Sequence, residues 1–303
     1  MRRALLVVGG LAGAFTFWLF AVWPPPSWYR AHWPAHTAFM QMRTAGPTDR
    51  RADGQKGGRS NAPGIRYRPV PLDSIAGVMQ QAVIIGEDNL FLTHGGIDYL
   101  SLARALGYRR AELDLRSARD RQELLAVLPN AWAKRAKLRG ASTISQQLAK
   151  NLYLSASRNP LRKVKEAVIT WRLELALGKP RIMELYLNVV ELGDGVWGVE
   201  AASQEYFHRS ARTLTREQAA ALAGSLPFPL RSNPGLRPGR MRWRQNLILR
   251  RMRGEVVDVP KTEEETGDAD STPSLPPVPD ATDSAPPALE TLPAESAVVD
   301  SAP

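Results

Sequence analysis

The chain has 303 residues, 44% of them hydrophobic, no cysteine and a formal charge of +10 at pH 7. That length allows one or two domains with real cores, at about 150 residues each, and the lack of cysteine excludes disulfides, thiol chemistry and a cysteine-built metal site. The charge is uneven: residues 255–303 hold twelve acids against the single base Lys261, so the preceding part is far more basic than the total suggests. Such a body expects anionic partners: lipid headgroups, a phosphorylated substrate or nucleic acid.

Ala4 to Trp23 is a run of twenty residues without a charge. As a helix it would span about 30 Å, the thickness of a bilayer core. Arg2 and Arg3 precede it, which predicts a cytoplasmic N-terminus and a body on the far side of the membrane. Trp18, Trp23 and Trp28 fall where an interfacial aromatic belt would lie. A cleaved signal peptide would have a shorter apolar region ending at a small-x-small site. Here the run ends in Trp23-Pro24-Pro25-Pro26. Residues 1–23 are therefore expected to form a cytoplasmic stub and a single transmembrane anchor. Residues 24–64 are rich in Pro, Gly and Arg and read as a stalk or loosely packed linker. Residues 255–303 hold nine prolines and no aromatic residue, which predicts a disordered acidic tail. The folded domain is then 65–254.

Within it, Asp73 or Ser74 can cap a helix with Ile75, Val78, Met79, Ala82 and Val83 at helical spacing, ending near Gly86. Thr143 with Gln146 reads as a capping box for a helix carrying Ile144, Leu148 and Leu152 on one face. Asn159-Pro160 reads as an N-cap and first helical residue. The helix that follows has Leu161, Val164, Val168 and Leu175 in register and stops at Gly178. Pro180 starts another, with Ile182, Leu185, Tyr186 and Val189 inward. Thr215 with Gln218 caps an Ala-rich helix, and a basic helix covers about 240–252. No strands alternate with these helices, so the expected class is mainly α with at most a small hairpin.

The chemistry-bearing residues cluster. Arg139 to Asn151, RGASTISQQLAKN, gathers Ser142, Thr143, Gln146, Gln147 and Lys150 about a helix start. Gln146 and Lys150, one turn apart, project together. Glu87 stands at a helix-loop junction beside Asp88, where neighbouring acids raise one another's pKa and one can serve as a general base. Taken alone, a Glu near a helix end is ordinary surface, and His94 alone reads as a structural hydrogen-bonding residue. Glu166 shares a helix face with Arg162 and Lys163. That trio is either a solvated ion-pair face, worth a few tenths of a kcal/mol per pair, or a charged wall facing a phosphate. The four histidines have no metal-ligand spacing.

The ordered set of ED-x-x-F-x-x-H-x-G (Glu87 to Gly95), RGASTISQQLAKN, RK-x-x-E (Arg162 to Glu166), IMELYLN (Ile182 to Asn188) and GDGVWGVEAASQEYF (Gly193 to Phe207) resembles the peptidoglycan glycosyltransferases, the polymerising module of class A penicillin-binding proteins. Within that family the chain is most similar to the monofunctional biosynthetic transglycosylases, since the tail is too short for an acyl-transferase module. The resemblance covers about residues 70–253. It implies a mainly α, lysozyme-like, two-lobed domain behind the anchor, with a membrane-dipping jaw. It implies transfer between lipid II and a lipid-linked glycan strand, with inversion and release of undecaprenyl diphosphate. In that reading Glu87 is the general base and Glu166 assists beside the donor diphosphate. Ser142, Gln146, Lys150, Arg158 and Lys163 line that diphosphate site, and Arg104 lies near the acceptor. The domain would work at the inner membrane on its periplasmic side, in cell-wall biogenesis and the setting of cell shape, alongside other cell-wall synthesis or division proteins. No cofactor is required. Mg or Mn could bridge Glu166 and the diphosphate, although no metal ligand set is visible.

The chemistry of the residues agrees. A sugar hydroxyl needs a positioned base, typically worth about 10²–10⁴-fold. A leaving diphosphate needs cations rather than a proton. A lytic, lysozyme-like enzyme would instead use an acid and a second carboxylate, and gives Lys150, Arg158 and Lys163 no reason to cluster. A non-catalytic membrane-tethered binder of anionic cell-wall polymer would be indifferent to Glu87. Nucleic acid is a poor fit to an external body without a recognisable nucleic-acid-binding module. One departure is the long connector between Gly96 and Gly140, whose 108–136 stretch reads either as an extra surface helix or as an enlarged jaw in the membrane interface.

Overall fold

Local capping sets the frame of the domain. The computed structural model describes residues 2–44, 64–110, 112–127, 129, 142–154 and 160–257. Helix α6 (Ile144–Tyr153) starts at Thr143, whose hydroxyl accepts from Gln146 N at 3.1 Å while Gln146 Oε1 accepts from Thr143 N at 3.1 Å. Helix α9 (Arg216–Ser225) starts on the same reciprocal pair, Thr215 and Gln218. Helix α7 (Pro160–Val189) begins at the expected proline and is broken at Gly178, whose φ of 69° is open to glycine at little cost. The two helices expected on either side of Gly178 are therefore both present, joined at a kink. Asn159, the expected cap, lies outside the described residues, as do residues 45–63, 130–141 and 258–303, and with them most of the acidic tail.

The core gathers where these helices face each other. Ile144, Leu148, Ala149 and Leu152 of α6 pack with Ile169, Leu173, Ile182, Leu185 and Tyr186 of α7. At about 1.5–3 kcal/mol for each fully buried large side chain, this interface outweighs a cap worth about 0.5–2 kcal/mol. The caps decide where α6 begins, and the core decides that it stays. Helix α3 (Gly77–Glu87) lies on α9, and helix α10 (Gly239–Met252) covers both. Small residues permit that closeness. A Cβ on Gly224 would come within 2.9 Å of Met241 O, and one on Gly86 within 3.0 Å of Ile248 Cδ1. Helix α8 (Val199–Phe207) follows a small sheet of β1 (Arg66–Tyr67), β2 (Glu191–Gly193) and β3 (Val196–Trp197) in the order β1-β3-β2, with β1 parallel to β3 and β2 antiparallel to it. Asn188 ties α7 to the chain before α3, accepting from Val70 N at 2.8 Å and donating to Val70 O at 2.9 Å.

Two expectations change, the start of α3 and the loose packing of residues 24–64. Helix α3 starts two or three residues later than a cap at Ser74 or Asp73 would place it: Leu72–Ser74 forms a 3-10 turn instead, and the helix begins after Ala76 without a side-chain cap. Ile75 is still buried, so the apolar pattern belonged to the core without belonging to the helix. The described part of the expected stalk is packed: Tyr29 and Met40 are buried, a 3-10 helix covers Pro26–Arg30, and helix α2 (Ala38–Thr44) is tied to Glu191 by Arg43. The Leu161, Val164 and Leu175 face of α7 is exposed, whereas Glu166, Ile169, Thr170 and Leu173 point inward. The N-terminal run is helical as α1 (Arg2–Phe20). Among the described residues, however, no helix is long and apolar enough to cross a membrane.

The connector after Gly96 carries helix α4 (Tyr99–Leu106), capped by Asp98, and helix α5 (Ala118–Val127). A polar network holds them, with Arg110 bonded to Asp120 at 2.8 Å and to Glu123 at 3.0 Å. Leu128 and Trp132 of the 108–136 stretch lie outside the described residues.

Candidate active site

Glu87 is the last residue of α3, and its carboxylate is held on both oxygens. Oε1 accepts from Arg244 Nη2 of α10 at 3.1 Å, and Oε2 accepts from Gln147 Nε2 of α6 at 2.9 Å. Arg244 Nη2 also reaches Gly86 O at 3.1 Å. The far end of the Gln147 amide accepts from the Tyr186 hydroxyl at 2.9 Å. Burial holds that phenol far above its ordinary range, so it stays a donor. Gln147 can therefore present only its amino group to Glu87. Burial also pushes the Glu87 carboxyl up from 4.5, against the opposing pull of Arg244, Gln147 and Lys150. The result is a carboxylate fixed in place and more basic than a free one.

Asp88 does a different job from its neighbour. Its Oδ2 accepts from Ile144 N at 2.9 Å, the first amide of α6, where a negative charge meets the positive end of the helix dipole. His94 Nε2 lies 2.9 Å from Oδ1. Because His94 Nδ1 accepts from Gly96 N at 3.1 Å, Nε2 carries the proton and donates to Asp88. Thr143 Oγ1 donates to Gly96 O at 2.6 Å. A Cβ on Gly96 would meet Glu174 and Thr170 of α7 within 3 Å. The 87–96 turn is thus stitched to the start of α6 and pressed on α7.

Glu166 is buried on α7. Its Oε2 accepts from Arg162 Nη1 at 2.9 Å, and Oε1 is paired with Lys163 Nζ. Lys163 Nζ also reaches Ser142 Oγ at 3.3 Å. Lys150 stands electrostatically between the two acids. Burial draws its pKa down, Glu166 and Glu87 hold it up, and Arg162 and Lys163 repel it. Its Nζ lies 5.5 Å from the Phe39 ring centroid. Lys150 is thus within electrostatic reach of both Glu87 and the Arg162, Lys163 and Glu166 group, to which Ser142 is joined through Lys163.

Gln146 is buried with its Oε1 spent on the α6 cap, so its acceptor is committed to the fold. Arg104 sits on α4 with Nε and Nη2 each 3.4 Å from Arg110 O. Arg158 lies outside the described residues. Arg244 was missed by the sequence reading, which saw only a basic helix there. Nothing local marks one arginine of Arg242, Arg244, Arg250 and Arg251 as the partner of a residue 157 positions away. Among the described residues no group of three or more His, Asp or Glu could hold a metal ion.

Comparison with known proteins reads the same chain independently. The family model described as Transglycosylase matches residues 117–253. A biosynthetic peptidoglycan transglycosylase of Bordetella pertussis (strain Tohama I) is 34% identical over 260 residues, covering 86% of this chain and 94% of that one. The chain belongs to that family. A protein of the same name from Azoarcus sp. (strain BH72) is 36% identical over 253 residues, covering 80% of this chain and 95% of its own. One from Neisseria gonorrhoeae is 39% identical over 240 residues, covering 79% and 90%. The matched span of the family model contains α6, α7 and α10, with Gln147, Lys150, Glu166 and Arg244, and leaves out α3 with Glu87.

Proposed function

We propose that this transglycosylase polymerises lipid II into glycan strands, with the growing lipid-linked strand as donor and fresh lipid II as acceptor. The observation that carries the reading is Glu87, held by Arg244 and Gln147 with its carboxyl pushed up by burial, and coupled electrostatically through Lys150 to the group of Glu166, Arg162 and Lys163. Glu87 takes the proton of the acceptor 4-hydroxyl. The hydroxyl oxygen attacks the donor anomeric carbon from the face opposite the diphosphate. The carbon–phosphate oxygen bond breaks, undecaprenyl diphosphate leaves as the anion, and the proton remains on Glu87. A single in-line displacement inverts the anomeric centre. Lys150, Lys163 and Arg162 stabilise the leaving charge where it develops, with Ser142, Gln146 and Arg158 on the donor side and Arg104 toward the acceptor.

Glu166 acts by holding cations. Both its oxygens are engaged by Arg162 and Lys163, which counts against a second free carboxylate of the kind a glycan-cleaving enzyme needs. No cofactor is required by this chemistry. A Mg or Mn ion could join the diphosphate, although no ligand set for it is present among the described residues. The apolar helix α1 exposes Leu6 at 76% and Phe17 at 76%, which supports its role as a membrane anchor that keeps the two-lobed, lysozyme-like body at the outer face of the inner membrane, where both substrates lie. Other cell-wall synthesis or division proteins would work beside it there.

The test is Glu87→Gln in the full chain, supplied with labelled lipid II and read by gel. The variant should melt as a folded protein and make no glycan strand. Normal polymer from that variant would remove Glu87 as the base and the reading with it.

A further inference from the structure

Helix α2 is short, but it is fastened at both ends. At its start the Thr37 hydroxyl accepts from Met40 N at 3.1 Å, and both residues are buried. At its end Arg43 donates to Glu191 Oε2, from Nε at 3.2 Å and from Nη2 at 3.0 Å. Between these points α2 packs on α6. Phe39 lies between the fastenings, half-buried, with the Lys150 ammonium of α6 at 5.5 Å from its ring centroid. That is inside the distance of about 6 Å at which a ring face attracts a cation.

The acids that could hold Lys150 are already engaged. Glu87 is bound by Arg244 and Gln147, and Glu166 by Arg162 and Lys163. Among the described residues no carboxylate pairs directly with Lys150. Glu166 and Glu87 support its charge from farther off, while Arg162 and Lys163 oppose it. Distant charges do not select one position for an ammonium on a flexible four-carbon stem. A ring face at contact does. A paired carboxylate would also neutralise the ammonium and take up its donors. The ring attracts the charge through its quadrupole and leaves the N–H groups free for another acceptor.

We infer that Phe39 is a positioning residue that holds the Lys150 ammonium in place for the donor diphosphate without neutralising it. The inference rests on the part given to Lys150 in the reading above. It makes α2, drawn from a stretch with the composition of a linker, one wall of the site. The fastening of α2 by Thr37 and Arg43 then serves the chemistry as well as the fold.

Lys150 can be titrated in the full chain without lipid II. Competitive acetylation with acetic anhydride is run across a pH series and read by mass spectrometry of the Lys150 peptide. Only the neutral amine reacts, so the midpoint reports its proton affinity and the plateau reports access. Phe39→Leu keeps apolar cover and removes the quadrupole, so the charged form loses support and the midpoint should fall. At a fixed pH below the midpoint, acetylation should rise about 3- to 30-fold. Phe39→Tyr keeps a ring and should restore the wild-type midpoint. Glu87, Glu166, Arg162 and Lys163 face the ammonium in all three proteins, so the difference belongs to the ring. With labelled lipid II, Phe39→Leu should lose severalfold in rate, the basic limb of its pH–rate profile should move down with the midpoint, and Phe39→Tyr should recover both. An unchanged midpoint in folded Phe39→Leu overturns the inference and leaves the polymerase reading standing. A lowered midpoint with unchanged polymerisation overturns the positioning role and takes Lys150 out of the mechanism. A rate loss that is even at every pH and is not recovered by Phe39→Tyr is a packing effect, and overturns it too. Should Phe39→Leu not fold, Phe39→Met, whose side chain fills irregular gaps, decides among the same outcomes. Normal polymer from Glu87→Gln would remove the reading above whatever the Lys150 midpoint does.

Discussion

At the scale of single residues, the candidate site turns on how one carboxylate is kept basic without being left loose. Burial raises the Glu87 carboxyl, and the Arg244 charge partly offsets that rise. The sign of a pH effect follows. Removing the cation in Arg244→Met leaves only Gln147 and Lys150 to oppose burial, so the carboxyl protonates at higher pH. A base must be ionised to work, so the acidic limb of the pH–rate profile should move upward by about 1–3 pH units, the usual effect of one close opposite charge. The rate should recover above the new limb. An arginine that only packs would lower the rate evenly at every pH, and a profile of unchanged shape would assign it that part. The Tyr186 and Gln147 chain bears on the same carboxylate from the other side: with both ends of the amide engaged, Gln147 cannot turn over to offer an acceptor instead.

At the scale of elements, Asp88 joins the end of α3 to the start of α6. It receives the first amide of α6 and the His94 imidazole on one buried carboxylate. Asp88→Asn has one carbonyl oxygen for two donors and turns an amino group toward the other. An unmet buried donor costs about 1–3 kcal/mol. The urea midpoint should fall accordingly. The turnover rate should fall as well, because Gln147 and Lys150 ride on α6. An unchanged midpoint would mean that Asp88 is not the tie. Much of this level was legible beforehand. The caps at Thr143 and Thr215 are local, three residues across, and read directly from the chain. The start of α7 at Pro160 and its break at Gly178 are backbone rules. The orientation of α7 was not legible, since Leu161, Val164 and Leu175 mark a stripe without saying which way it faces. Arg244 was hidden for a related reason: its meaning comes from α10 lying on α3 and α9, which Gly86 and Gly224 allow by having no side chain. The packing of Tyr29 and Met40 was masked by a segment whose composition is that of a linker.

At the scale of the whole molecule, charge and apolar surface are segregated. The basic surplus precedes residue 255, and the exposed apolar residues of α1 and α7 adjoin. Long-range attraction of that kind speeds encounter with an anionic surface and weakens as salt screens it. Association of the full chain with vesicles containing phosphatidylglycerol, followed by stopped-flow, should slow by roughly tenfold or more between low and high salt. A rate indifferent to salt would show that the basic surplus does not guide the approach. The pairing of Glu87 with Arg244 has a further consequence for the life history of the protein. Its two members are 157 residues apart, and the second is delivered by the last helix of the domain. A nascent polypeptide that has not yet released α10 from the ribosome lacks the counter-ion that holds the carboxylate in place. On the proposed role of Glu87, competence arrives only when synthesis of the domain is nearly finished, and a product truncated before α10 is expected to make no glycan strand.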